Sequence, residues 1–278
     1  MGAAGVRRNN LRRWRRVLAV LSAAVLWAGL SAPGLADLRI VTDEGGMRHE
    51  LLLKRGQLAT SRGGDFRFVV DCDAGVVTVI SSPEKKTYWR GSGDELARQV
   101  GDIMRGALES APQTGDAPGF DLSTILGTGP RSVEVRVNRM GTDTVAGYDA
   151  VHYQVQYREE GGDWRTHEDV WVSSGLLRDV EAEVGGCLNQ LLSLSDVMES
   201  LTPAAMGAAG AVMADPAYKA LSHEGYRVRS RSQMQVFGVE INVNSEVVEV
   251  SRQPVPADAF AVPADYRQVD NVVDLMGM

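Results

Sequence analysis

Between Leu38 and Arg90, and again between Val133 and Val172, short runs of β-branched and aromatic residues are cut at brief intervals by turn signals. Runs of this kind read as strands, and the shortest turns can join them only antiparallel. The predicted strands are 38–42, 50–54, 57–60, 66–72, 76–81, 86–90, 133–139, 142–146, 150–158, 164–172, 226–236 and 239–252. Arg55-Gly56 and Asp73-Ala74-Gly75 sit at hairpins, where glycine supplies the positive φ of a tight turn. In the last two strands apolar and polar residues alternate, which gives one buried and one wet face.

Two helical stretches interrupt the strands. Over 93–111, Leu96, Val100, Met104, Ala107 and Leu108 recur at helical spacing, and Ser92 with Glu95 forms a capping box at the start. Over about 187–201 the chain is apolar on most of a helical circumference, so this helix is expected to be covered on several sides. Thr202-Pro203 then starts a helix over 204–214, rich in Ala, Gly and Met, and Asp215-Pro216 restarts one to about Ser222. The segment 112–130 reads as a loop, and a tail from Asp270 (270–278) is expected to fray.

The first 36 residues read as a signal peptide cleaved at about Ala36. Six arginines (Arg7, Arg8, Arg12, Arg13, Arg15, Arg16) precede the apolar run Val17–Leu30, and Gly34 and Ala36 fit the cleavage positions. The run is shorter than the roughly 20 residues of a spanning helix. No cysteine stands at the cut, so the product is expected to be soluble in the periplasm or outside the cell. Losing six arginines and no acid moves the formal charge from −7 to −13. Such a surface argues against nucleic acid and anionic membranes, where Lys and Arg must displace counterions.

Cys72 and Cys187 are the two cysteines. In an oxidising compartment they can bridge, or each can be a small buried hydrophobe. His49, His152, His167 and His223 lack metal-ligand spacing, and no nucleophile elbow, phosphate loop or Ca²⁺ loop is present. His152 and His167 can face each other across the 150–158/164–172 hairpin. The plain reading makes them hairpin surface residues, and likewise makes Trp89, Trp164 and Trp171 packing residues and Glu181 and Glu183 a solvated face. No catalytic residue, metal ligand or cofactor is assigned, and the protein is expected not to be an enzyme.

Four stretches carry a resemblance: Pro83-Glu84-Lys85-Lys86-Thr87-Tyr88, Val145 through Tyr153, Asp169-Val170-Trp171-Val172, and Phe260 through Tyr266. In this order they resemble an exported bacterial domain-of-unknown-function family that is similar to the periplasmic lipoprotein-carrier (LolA/LolB-like) fold. The resemblance spans roughly 37–269 and departs from the family at Ala150, commonly Cys there, and Asp265, commonly Gly. It implies a single α+β, mainly β domain. A curved antiparallel sheet, an unclosed half-barrel, would carry helices on its concave face, with helical insertions near 93–111 and 187–222. The leading expectation is a lipid or lipoprotein acyl group held by Leu188, Leu191, Leu192, Met198, Met206 and Met213. The alternatives are an envelope module with a filled core, whose acidic surface or sheet edge meets a protein partner, and, ranked last, a hydrolase with its site near His152 and His167.

Overall fold

A computed structural model describes residues 37–62, 66–110, 133–185, 208–236 and 239–276. The strands are β1 (Leu38–Glu44), β2 (Met47–Lys54), β3 (Gln57–Arg62), β4 (Phe66–Asp71), β5 (Val76–Ser81) and β6 (Thr87–Ser92). They continue with β7 (Val133–Val145), β8 (Tyr148–Glu159), β9 (Arg165–Ser173), β10 (Tyr226–Val236), β11 (Val239–Arg252) and β12 (Arg267–Gln268). Together they make one 12-stranded sheet in the order β12-β6-β5-β4-β3-β2-β1-β11-β10-β9-β8-β7. All pairs are antiparallel except β12 with β6, which is parallel. Two local arms, β1–β6 and β7–β11, meet at the β1–β11 seam, which runs from Leu38↔Arg252 to Glu44↔Ser245.

The described helices are α1 (Gly93–Ser110), α2 (Ser174–Val184), α3 (Ala208–Ala214), α4 (Pro216–Glu224) and the short α5 (Val273–Met276). The expected start of α1 is present: the Glu95 backbone N–H donates to Ser92 Oγ at 3.1 Å. The return half of the box is absent, because the Glu95 carboxylate accepts from Arg98 and Gln99 instead. Asp215 caps α4 through the Ala217 N–H, with Pro216 in the first turn where its missing donor costs nothing.

The main core lies on one sheet face. Leu38, Ile40, Leu53, Val70, Val79, Trp89 and Trp171 meet Leu96 of α1, Leu176, Val180 and Val184 of α2, and Leu275 of α5. The opposite face carries two smaller cores. Ala59, Val69 and Ile80 are packed by Phe260, Val262 and Tyr266. Val155, Val170 and Val172 are packed by Val212, Tyr218 and Leu221 of α3 and α4. Neighbouring strand residues point to opposite faces, so Val170 and Val172 serve one core while Trp171 serves the other.

The structure differs from the sequence reading in four places. The sheet is open and not strongly curled, and helices cover both faces, where a half-barrel with helices on one concave face was expected. The two strands expected at 133–139 and 142–146 are one strand, β7, with an irregularity between Arg139 and Gly141. The tail does not fray through 270–276, because Val272 and Leu275 are buried in the main core. The Val272 N–H also donates to Gln99 Oε1 at 2.7 Å. Helix α2 was not foreseen; Ser173 caps it by accepting the Leu176 N–H. The signal segment, the 112–130 loop and the apolar helix at 187–201 lie outside the described residues.

Candidate functional site: a charged cradle on the sheet

Strand β10 reads Tyr-Arg-Val-Arg-Ser-Arg, and strict alternation would put Arg227, Arg229 and Arg231 on one face. A bulge between Arg227 and Arg229 breaks that pattern, since one extra residue turns the rest of the strand over. Arg227 therefore joins α4 on one face, whereas Arg229 and Arg231 join Trp171 on the other.

Arg229 reaches Asp143 of β7 at 2.7 Å with one terminal nitrogen and Glu246 of β11 at 2.9 Å with the other. Hydrogen bonding to Glu246 first, then to Asp143, raises its pKa against the cost of burial. Asp143 is held below the usual carboxylate value by the Thr144 N–H first and by Arg229 second. His152 of β8 bonds Asp169 of β9 at 2.8 Å and stacks on Trp171, with ring centroids 4.1 Å apart and planes 4° apart. The guanidinium carbons of Arg229 and Arg231 stand 5.3 and 5.6 Å from the centroid of the same indole, within cation–π reach.

A cavity of about 250 Å³ opens beside these groups, lined among others by Asp43, Arg229, Arg231, Asn244, Glu246 and Val248. The Gly45 N–H donates to the Asn244 carbonyl at 3.1 Å, which fixes the β1–β2 turn as one wall. The cavity is below the roughly 300–1,000 Å³ of small-molecule pockets, so it accommodates a side chain rather than a lipid tail. Most of its lining residues carry charged or polar side chains.

The other face holds a buried polar group under α4. Glu168 accepts from Tyr218 Oη at 2.9 Å and from Arg227 at 3.3 Å. His167 packs edge-on against Tyr157 and Tyr218. Burial first, and the Arg227 charge second, push its pKa down to about 4. Burial pushes the Tyr218 phenol up to about 12. His152 and His167 are thus on opposite faces and never meet, so the hairpin geometry a shared catalytic role would need is not formed.

Of the residues expected to hold an acyl chain, Leu188, Leu191, Leu192, Met198 and Met206 lie outside the described residues. Met213 is half-buried against the core under α3 and α4. Cys72 is disulfide-bonded; the other cysteine of the sequence, Cys187, lies outside the described residues. Trp89 and Trp171 are core residues, and the Trp164 ring has the guanidinium carbons of Arg136 and Arg158 at 4.0 and 4.9 Å from its centroid. Glu183, expected on a solvated face, is buried and bonded to Arg252 at 3.1 Å, while Asp179 takes the other arginine nitrogen at 2.9 Å. Sequence reasoning missed the cradle; the Arg-x-Arg-x-Arg run of β10 was visible, but nothing in it marks the bulge that brings Arg229 and Arg231 to Trp171.

Among the described residues no three His, Cys, Asp or Glu side chains converge as metal ligands, and no helix is long and apolar enough to cross a membrane. Fold and site together define an open antiparallel-sheet protein with a charged recess on one face. Residues 128–266, which span β7 to the segment before β12, match the family described as "Domain of unknown function (DUF4412)", and the chain belongs to that family. No curated protein matches the chain.

Solved structures show loose likeness. PNGF-II is similar at 7% identity and TM-score 0.36, over 87% of this chain and 32% of its own. MucB is similar at 14% identity and TM-score 0.31, over 88% of this chain and 64% of its own. A second structure, of the Pseudomonas aeruginosa MucA/MucB complex, is similar at 12% identity and TM-score 0.31, over 85% and 59%. The chain thus spans about a third of PNGF-II and less than two thirds of MucB.

Proposed function

We propose that this is an exported, non-enzymatic interaction module of the cell envelope that takes an extended segment of a partner protein along β7. One observation carries the reading: the two edges of the sheet are unlike. Edge β12 has 2 residues, whereas edge β7 has 13. A short edge offers little to pair with; a long one presents a row of backbone donors and acceptors on which another strand can add.

Among the described residues, β7 bonds β8 on one side and no backbone hydrogen bond reaches its other side. Its outer portion, residues 139–144, is exposed, and Met140 is 54% exposed. The leader supports an envelope address. The packed core around Met213 and the charged lining of the cavity support a partner-binding reading over an acyl-chain carrier.

Site-specific photo-crosslinking in the envelope tests this. A crosslinker at Met140 or Thr142 is expected to give a protein adduct of defined mass, and one at Glu84, in the turn before β6, is expected to give none. Equal labelling from all three positions, or none from β7, overturns the proposal.

A further inference from the structure

Resting on that reading, we propose that the cradle is a carboxylate subsite in which Arg231, floored by Trp171, takes an acidic group of the bound segment. The Asp143–Arg229 ion pair links the exposed part of β7 to β10 across β8 and β9, and β7 also comes close to β11, so a chain laid along β7 runs near the recess. Of the two arginines that line the recess, one is already paired. Arg229 gives its terminal nitrogens to Asp143 and Glu246, and Asp169 is taken by His152. The Asp43 carboxylate accepts the Gly46 N–H at 2.9 Å.

Arg231 is exposed and has no ion pair among the described residues. Its guanidinium carbon stands over the indole of Trp171, 5.6 Å from the ring centroid. A guanidinium that spends its face on an aromatic ring keeps its in-plane N–H fork for a planar acceptor, and a carboxylate fits that fork with two parallel bonds. The Arg229 Nε is buried with no acceptor among the described residues, a second unmet donor beside the recess. Its 250 Å³ volume suits one side chain or one chain terminus. With a formal charge of −7 on the whole chain, a free anion is repelled at long range. The subsite therefore selects among tethered segments more than it adds affinity.

The test uses the full chain purified after export and labelled with ¹⁵N-arginine, with guanidinium resonances followed by NMR. Three probes are added: acetyl-Glu-Glu-amide, acetyl-Gly-Gly with a free carboxylate, and acetyl-Gln-Gln-amide. A saturable shift of the Arg231 Nε–H with a carboxylate probe and none with the glutamine probe is expected, and the two acidic probes separate a side-chain source from a terminal one. Arg231→Gln is expected to weaken the acidic probe by about tenfold or more, and Arg231→Lys to restore part of it. Equal response to Glu and Gln probes, or unchanged binding in Arg231→Gln, overturns the subsite. If the Met140 adduct persists undiminished in Arg231→Gln, the subsite fails and edge binding stands. If Arg231 answers the acidic probes while wild-type β7 yields no adduct, edge binding fails and the carboxylate site stands alone.

Discussion

His167 is buried between Tyr157 and Tyr218, and its folded pKa is about 4 against an ordinary 6.5. The folded state therefore keeps the ring neutral while the unfolded chain takes a proton as pH falls. The stability this contributes is whole above pH 6.5 and is lost as pH descends from 6.5 towards 4. For these two values the loss from this one group between pH 7 and pH 5 is about 2 kcal/mol. His167→Phe keeps an aromatic ring against both tyrosines and removes the proton site. Urea unfolding of both proteins at pH 7, 6 and 5 measures the effect. The substitution shifts the variant's stability at every pH, but the difference between the two proteins is expected to narrow or reverse by about 2 kcal/mol from pH 7 to pH 5. Parallel pH profiles would refute the argument, since they would mean that the ring is protonated alike in both states.

Four further outcomes are expected. Denatured, unreduced protein should show no free thiol and reduced protein two; reduction of a Cys72–Cys187 bridge should cost about 4–5 kcal/mol on the chain-entropy model, and a free thiol before reduction would exclude the pairing. Arg252→Met leaves the buried Glu183 without its cation and should lower unfolding free energy by about 3 kcal/mol, most of it regained in the double variant with Glu183→Met. Gly225→Ala places a methyl 2.7 Å from the Ser173 carbonyl carbon, and the overpacking should cost about 1–3 kcal/mol. Gly141→Ala, with nothing within 4 Å of its added carbon, should stay within about 0.5 kcal/mol of wild type in the same thermal or urea melts.

Local chemistry made much of the sheet legible. β5 was readable to the residue, because Val76 to Ser81 is bounded by the Asp73-Ala74-Gly75 turn and by Ser82-Pro83. The Asp71 carboxylate accepts the Ala74 N–H in that turn, as an Asx-type turn predicts. What stayed hidden depends on distant partners. α2 carries Leu176, Val180 and Val184 at helical spacing, but its acidic residues read as a wet face until Arg252, far along the chain, is seen to meet Glu183. The cradle was illegible for a different reason. No residue pattern announces the β10 bulge, and without it Arg227, Arg229 and Arg231 form one solvent-facing row instead of serving two faces.

The β1–β11 seam bears on how this chain is made. Each arm of the sheet can assemble from neighbours in sequence, but Leu38 must wait for Arg252 before the arms can be joined. A chain made N-terminus first therefore carries β1 with β2 on one side and nothing on the other until Arg252 has emerged. Contacts this far apart in sequence are slow to form, and unpaired strands invite aggregation meanwhile. Exposure to mispairing during that interval is a consequence of the wiring of the sheet and not of any weakness in the finished protein.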